Sequence, residues 1–314
     1  MIRIQYLALL LLPLPLQAEP VRDMRAPDPR SAGLAAPDLG ATLRDLSGVR
    51  EAVALPRPAP LQDGLSDAPV SQSDVLRAEL RPGWREADGR YMAALHLSMA
   101  PHWKTYWRAP GDAGIPPEFD WSGSLNLDKV TIHWPRPDVF DYQGMQTIGY
   151  LQEVILPVEI TPQDPAQPVA LQVEVELGVC NDICMPASLM LHEPLPAQGA
   201  LDPAISAALA RRPMTADEAG VTRLSCVVED IEDGLRITAE LEMPRLSGTE
   251  TVVMEPAGGV WVSDTREGRV GDALTAVADI VPPRDGTYMF DPSALRLTVL
   301  ADGRAVEMTG CPLN

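Results

Sequence analysis

The chain has 314 residues, with 44 acidic against 25 basic side chains and a formal net charge of −19. A surface that negative repels phosphate backbones and anionic lipid faces, which argues against nucleic-acid and membrane-surface binding. Hydrophobic residues make up 46%, and the length allows two domains of ordinary size.

At the start, Arg3 precedes an apolar stretch from Leu7 to Leu16, broken only by Pro13 and Pro15, with Leu16-Gln17-Ala18 placed as a cleavage site before Glu19. This pattern predicts a secretory signal peptide over residues 1–18, shorter than the roughly 20 residues that span a bilayer. No cysteine follows the cleavage region, and no later apolar run reaches spanning length. The mature chain is therefore expected to be soluble and exported, with no lipid anchor and no membrane insertion. Residues 19–73 carry eight prolines and no aromatic. Such a segment buries too little apolar surface to offset chain entropy and is expected to be a disordered Pro- and Ala-rich arm, with a weak helical signal near 43–54.

From Ser73 the composition changes, and eleven of the fifteen aromatics fall between Trp84 and Tyr150. That aromatic segment is expected to serve as a docking face, because aromatics are enriched at interfaces. Short strand-like stretches follow one another at 75–81, 91–99, 130–134, 154–160, 169–179 and 187–191, punctuated by Pro and Gly clusters, as in an all-β sandwich. A short connecting helix is predicted at Asp202–Ala210. Strand signals resume at 222–229, 235–242, 251–255, 260–264, 276–280 and 296–301. The expected organisation is all-β: a sandwich over 74–197, a helical linker over 198–219 and a second sandwich over 220–314, behind the disordered arm.

The four histidines, His96, His102, His133 and His192, form no metal-ligand spacing, and no nucleophile elbow, phosphate-binding loop or dinucleotide fingerprint occurs. No cofactor and no metal are expected. Chemistry is expected instead at Cys180 and Cys184, three residues apart across Asn181-Asp182-Ile183. Before them Val169, Leu171, Val173, Val175, Leu177 and Val179 alternate with polar residues, a period of two that marks a half-buried strand. Asn181-Asp182 reads as a turn, and Leu189 and Leu191 resume the apolar register. A hairpin with one cysteine on each arm brings Cα atoms within about 4.5–5.5 Å, inside the roughly 4.4–6.8 Å of a disulfide. By parity Cys180 falls on the polar face, unless Gly178 marks a bulge, and an exposed bond in a tight turn is labile.

Three readings of the pair stand open. It is redox-active, or a structural staple, or a copper(I) site with Met185 as a soft third ligand. Loop entropy weighs against the staple, since stabilisation reaches about 3 kcal/mol only near 15 residues. Cys226 lies in the first strand of the second domain and Cys311 almost at the chain end. Closing so long a loop is worth about 4–5 kcal/mol, so this pair is expected to be a structural disulfide.

The run from His102 through Trp103, Lys104, Thr105, Tyr106, Trp107 and Arg108 to Gly114, followed by Ile115-Pro116-Pro117, resembles the periplasmic N-terminal domain of the thiol:disulfide interchange protein DsbD family. It is most similar to the branch called suppressor of copper sensitivity protein B. Asp120-Trp121-Ser122-Gly123-Ser124, Trp134-Pro135, Ile148-Gly149-Tyr150, Leu156-Pro157-Val158 and the run from Cys180 to Pro186 continue the resemblance, over about residues 75–196. It implies an immunoglobulin-like sandwich whose cysteine pair relays electrons between a membrane or thioredoxin-like reductase and periplasmic thiol proteins. It further implies a cap loop, here Phe140, Asp141 and Tyr142, that shields the pair until a partner docks. It makes Cys184 the cysteine of the mixed disulfide and Cys180 the one that resolves it. The best-known members space the pair by five residues, whereas this chain spaces it by three. Neither membrane helices nor a thioredoxin-like domain follow in the sequence, so the electron donor is expected to be a separate protein. The alternative expectation is a redox-inert adaptor or a copper(I)-binding protein.

Overall fold

A computed structural model describes residues 70–111, 113–142, 145–283 and 288–313. The predicted signal peptide and all but the last residues of the Pro-rich arm lie outside the described residues. The described residues fall in one compact unit that spans 66–314. It is built almost wholly of antiparallel strands.

A single-turn helix, α1 (Gln72–Val75), leads into β1 (Leu76–Arg85) and β2 (Tyr91–Met99). Then come β3 (Lys104–Tyr106), β4 (Glu118–Asp120), β5 (Leu127–Ile132), β6 (Asp138–Tyr142), β7 (Met145–Leu151), β8 (Glu153–Pro162), β9 (Ala170–Cys180) and β10 (Cys184–Pro194). One sheet runs β1-β2-β8-β5. The other runs β10-β9-β3-β7-β6, with β4 added on β9. Their inner faces meet in one core, where Leu95, Leu97, Leu156 and Ile160 pack with Trp107, Ile148, Leu171, Val173 and Val175. Removing each such side chain from water contributes roughly 1.5–3 kcal/mol.

Strand β2 is buried on both faces. Its odd residues, Tyr91 to Leu97, enter the core, while Met92 and Ala94 lie under Ile205. Ile205 belongs to α2 (Pro203–Leu209), the helix expected near 202–210. Asp202 caps it by accepting hydrogen bonds from the Ala204 and Ile205 amides, and Pro203 supplies a first residue that has no amide to satisfy. A further turn, α3 (Ala216–Ala219), starts in a Thr215/Glu218 capping box and stops at Gly220, whose φ of 72° suits glycine.

The second sandwich pairs β11 (Arg223–Ile231), β12 (Gly234–Glu242), β14 (Trp261–Val262), β15 (Arg266–Val270) and β16 (Ala273–Val281) against a sheet of β13 (Thr251–Glu255), β17 (Arg296–Ala301) and β18 (Arg304–Thr309). Ile237, Leu241, Leu274, Ile280, Leu297 and Val299 fill it. Cys226 and Cys311 are bonded inside this core with Cα atoms 5.6 Å apart.

The two halves touch. Arg108 leaves the end of β3 and donates to both carboxylate oxygens of Glu255 at 2.8 and 2.9 Å and to Glu307 at 2.5 Å. Its guanidinium also lies 4.1 Å from the centre of the Trp107 ring. Leu300 and Ala305 of the second sandwich join the core cluster of the first.

Candidate functional site

The β9 and β10 arms pair without interruption from Cys184 opposite Cys180 to Pro194 opposite Ala170. Three residues turn the corner, and the Asn181 amide donates to the Ile183 carbonyl at 2.9 Å. Cys180 and Cys184 are bonded, with Cα atoms 4.1 Å apart. The hairpin and its cross-strand pair therefore stand where the sequence puts them.

The expectation of an exposed bond is corrected for one of its two sulfurs. Cys184 is exposed, but Cys180 is only 1% exposed. No bulge intervenes, because the ladder is unbroken at Gly178. Cys180 does lie on the face that parity assigns, but that face is covered. Tyr106 and Ile115 pack over Gly178, and a Cβ built there would lie 3.1 Å from each. The absent side chain makes the space they occupy.

Tyr106 comes from β3, which lies beside β9 with Lys104 opposite Cys180 and Thr105 opposite Val179. The Thr105 hydroxyl donates to the Gly178 carbonyl at 2.9 Å and locks the two strands together. The Tyr106 hydroxyl donates to Cys180 Sγ at 3.0 Å and lies 3.5 Å from Cys184 Sγ. Burial raises the Tyr106 pKa, so the phenol remains a proton donor at neutral pH. Sequence reasoning missed Tyr106 as a site residue. No clear alternation marked it, because Tyr106 is buried as well as Trp103, Thr105 and Trp107, and both faces of the strand are covered.

The segment read as a cap loop is a hairpin, β6 against β7, with Phe140 opposite Thr147, Asp141 opposite Gln146 and Tyr142 opposite Met145. Its base is fixed by the buried Tyr150 hydroxyl, which donates to the Pro135 carbonyl at 2.7 Å. Phe140 is half-buried, and its ring centre lies 4.9 Å from the Lys104 ammonium. The hairpin is thus connected to the cysteine pair through Lys104. Asp141 is exposed, next to the hairpin tip.

Of the aromatics in the expected docking segment, Tyr91, Trp103, Tyr106, Trp107 and Tyr150 are buried, while Trp84, Phe119, Trp121, Trp134 and Phe140 are part-exposed. Met185, weighed as a third copper ligand, packs against the hydrophobic core. Among the described residues no group of three or more His, Cys, Asp or Glu side chains is placed to hold a metal ion. No helix among them is long and apolar enough to cross a membrane.

Comparison with known proteins places this geometry. Residues 75–194 match the family described as thiol:disulfide interchange protein DsbD, N-terminal. Among solved structures, the N-terminal periplasmic domain of ScsB from Proteus mirabilis is similar, with 26% sequence identity and a TM-score of 0.54, over 76% of this chain and 92% of that one. No curated protein sequence matches.

Proposed function

We propose that this chain carries out thiol–disulfide exchange through Cys180 and Cys184, a reading supported by the match of residues 75–194 to the family described as thiol:disulfide interchange protein DsbD, N-terminal. In the finer form of the proposal it relays electrons between a thioredoxin-like or membrane reductase and exported thiol proteins. The observation that carries the reading is the inequality of the two sulfurs: one exposed, one buried and hydrogen-bonded.

The steps follow from that inequality. A partner thiolate attacks the accessible Cys184 Sγ. A Cys184–partner bond forms, the Cys180–Cys184 bond breaks, and the electron pair leaves on Cys180 Sγ, towards which the Tyr106 hydroxyl points. The partner's second thiolate then attacks its own sulfur in the mixed disulfide, giving an oxidised partner and a Cys184 thiolate. Two electrons are transferred. Run in reverse with an oxidised client, Cys184 makes the mixed disulfide and Cys180 resolves it.

Phe140, Asp141 and Tyr142 are proposed as the cap that restricts access until a partner docks, and Cys226–Cys311 as the structural bond. The proposed boundaries are a redox sandwich over 74–197, a helical linker over 198–219 and a second sandwich over 220–314. The similar ScsB domain is periplasmic, and the same compartment is proposed for this chain, after removal of residues 1–18.

The test is trapping. Cys180→Ser mixed with an oxidised thioredoxin-like domain is expected to accumulate a mixed disulfide that a reductant dissolves, and Cys184→Ser much less of it. If neither variant accumulates one, and the unaltered pair stays oxidised beside a reduced thioredoxin-like domain, the exchange reading fails and a redox-inert adaptor or copper(I)-binding role takes its place.

A further inference from the structure

We propose that Lys104 is the counter-cation of the Cys180 thiolate, a positioning residue that makes Cys180 the better leaving and resolving sulfur. The proposal rests on the exchange reading and deepens it. Lys104 stands directly opposite Cys180 in the β3–β9 ladder. Residues paired this way in an antiparallel ladder point to the same side of the sheet, with Cβ atoms about 4.5–5.5 Å apart. Lys104 and Tyr106 are two residues apart on one strand, so both flank the disulfide from the same face.

The ammonium is held by neutral groups. Arg81, Arg90, Arg108, Arg212 and Arg236 each pair with a carboxylate. Lys104, one of the chain's two lysines, does not among the described residues. Its Nζ donates to the Thr147 hydroxyl at 2.8 Å and lies over the Phe140 ring. Both partners are neutral. They direct the charge without neutralising it, and burial, the one cause acting, lowers the Lys104 pKa. Lys104 is half-buried and stands opposite Cys180 in the ladder, so reduction of the disulfide puts an anion next to its strand position. When the Cys180–Cys184 bond breaks and the electron pair comes to rest on Cys180 Sγ, the thiolate and the ammonium compensate each other. The Tyr106 hydroxyl supplies the hydrogen bond.

The other ionisable groups around this end of the sheet are Tyr106 on β3, Glu176 on β9, Asp182 in the turn and Asp141 on β6. The three acids are exposed, and Tyr106 is neutral in this setting.

The experiment uses the Cys184→Ser chain with Cys226–Cys311 left bonded, so that Cys180 is its one free thiol. Thiolate absorbance is followed against pH. Replacing Lys104→Gln in that chain is expected to raise the titration midpoint by about one pH unit, a roughly tenfold lower thiolate fraction at neutral pH. Lys104→Arg is expected to recover more than half of the shift. Lys104→Met serves as a second neutral variant should Lys104→Gln fold poorly. An unmoved midpoint in the neutral variants, or one moved equally by Lys104→Arg, overturns the proposal. Either result leaves the exchange reading standing if the trapping experiment succeeds, so the two failures are distinguishable.

Discussion

Tyr106 reaches the disulfide because residue 178 has no side chain. Its hydroxyl makes the two sulfurs chemically different, since it donates to the buried one while the other faces solvent. The pair can be divided experimentally into ring and hydroxyl. Tyr106→Phe keeps the packing and removes the donor, and a hydrogen bond of this kind is worth about 0.5–1.5 kcal/mol. Reduction of the pair by a dithiol is therefore expected to slow roughly three- to tenfold, with little change in the unfolding midpoint. Gly178→Ala forces a Cβ to within 3.1 Å of Tyr106 and Ile115. It is expected to give a similar kinetic loss together with about 1–3 kcal/mol of destabilisation. Stopped-flow reduction alongside urea denaturation separates the two variants. If both leave the reduction rate untouched, Tyr106 takes no part in the site.

Strand β3 connects the disulfide hairpin to the cap hairpin. It pairs β9 on one side and β7 on the other, so the order across the sheet runs from the cysteines through Tyr106 and Lys104 to Thr147 and Phe140. The β7 arm of the proposed cap is held to β3 by a backbone ladder, whereas Phe140 on the β6 arm reaches Lys104 through one cation–ring contact, worth about 0.5–1 kcal/mol. Phe140→Ala is expected to raise the rate at which small thiols reduce the pair several-fold, while lowering the thermal midpoint by only about 2–4 °C. A large drop in midpoint with no selective gain in reduction rate would make Phe140 an ordinary packing residue. β3 was not legible as a strand, because three residues are too few to show a period and aromatics crowd both sides of it. β7 and β18 escaped for a related reason: their apolar and polar residues do not alternate cleanly where both faces are partly covered.

At the scale of the whole molecule the two disulfides have opposite surroundings. Cys226 and Cys311 are 0% and 1% exposed. Around them, the Cys226 amide donates to Pro312 and the Cys311 amide to Pro292, each at 2.8 Å. Breaking that bond frees a chain segment whose closure is worth about 4–5 kcal/mol and requires the second core to open. Cys184 is exposed without any opening of a core. A mild reductant followed by alkylation and peptide mapping is expected to label Cys180 and Cys184 first, leaving Cys226 and Cys311 bonded. Earlier labelling of Cys226 and Cys311 would reverse the assignment of roles. Arg108 ties this second half to the site, since its ion pairs with Glu255 and Glu307 hold the residue two positions beyond Tyr106.

By itself the sequence determined the hairpin that carries Cys180 and Cys184, because an alternating run, a turn and a second alternating run admit one register in a half-buried ladder. It also determined the all-β class, and it marked Cys226 and Cys311 as a structural pair from the length of the loop they close. The helix at α2 followed from its cap, Asp202 before Pro203. What lies over the hairpin was decided only by tertiary structure. Parity correctly assigned Cys180 to the outer face, but whether a face is open depends on residues far away in the chain. Tyr106 and Ile115 reach Gly178 across more than sixty positions. The same holds for Lys104, an ordinary basic residue in the sequence, which comes to stand opposite Cys180 only when β3 is laid against β9. Local periodicity records which way a side chain points, and nothing local records what it meets there.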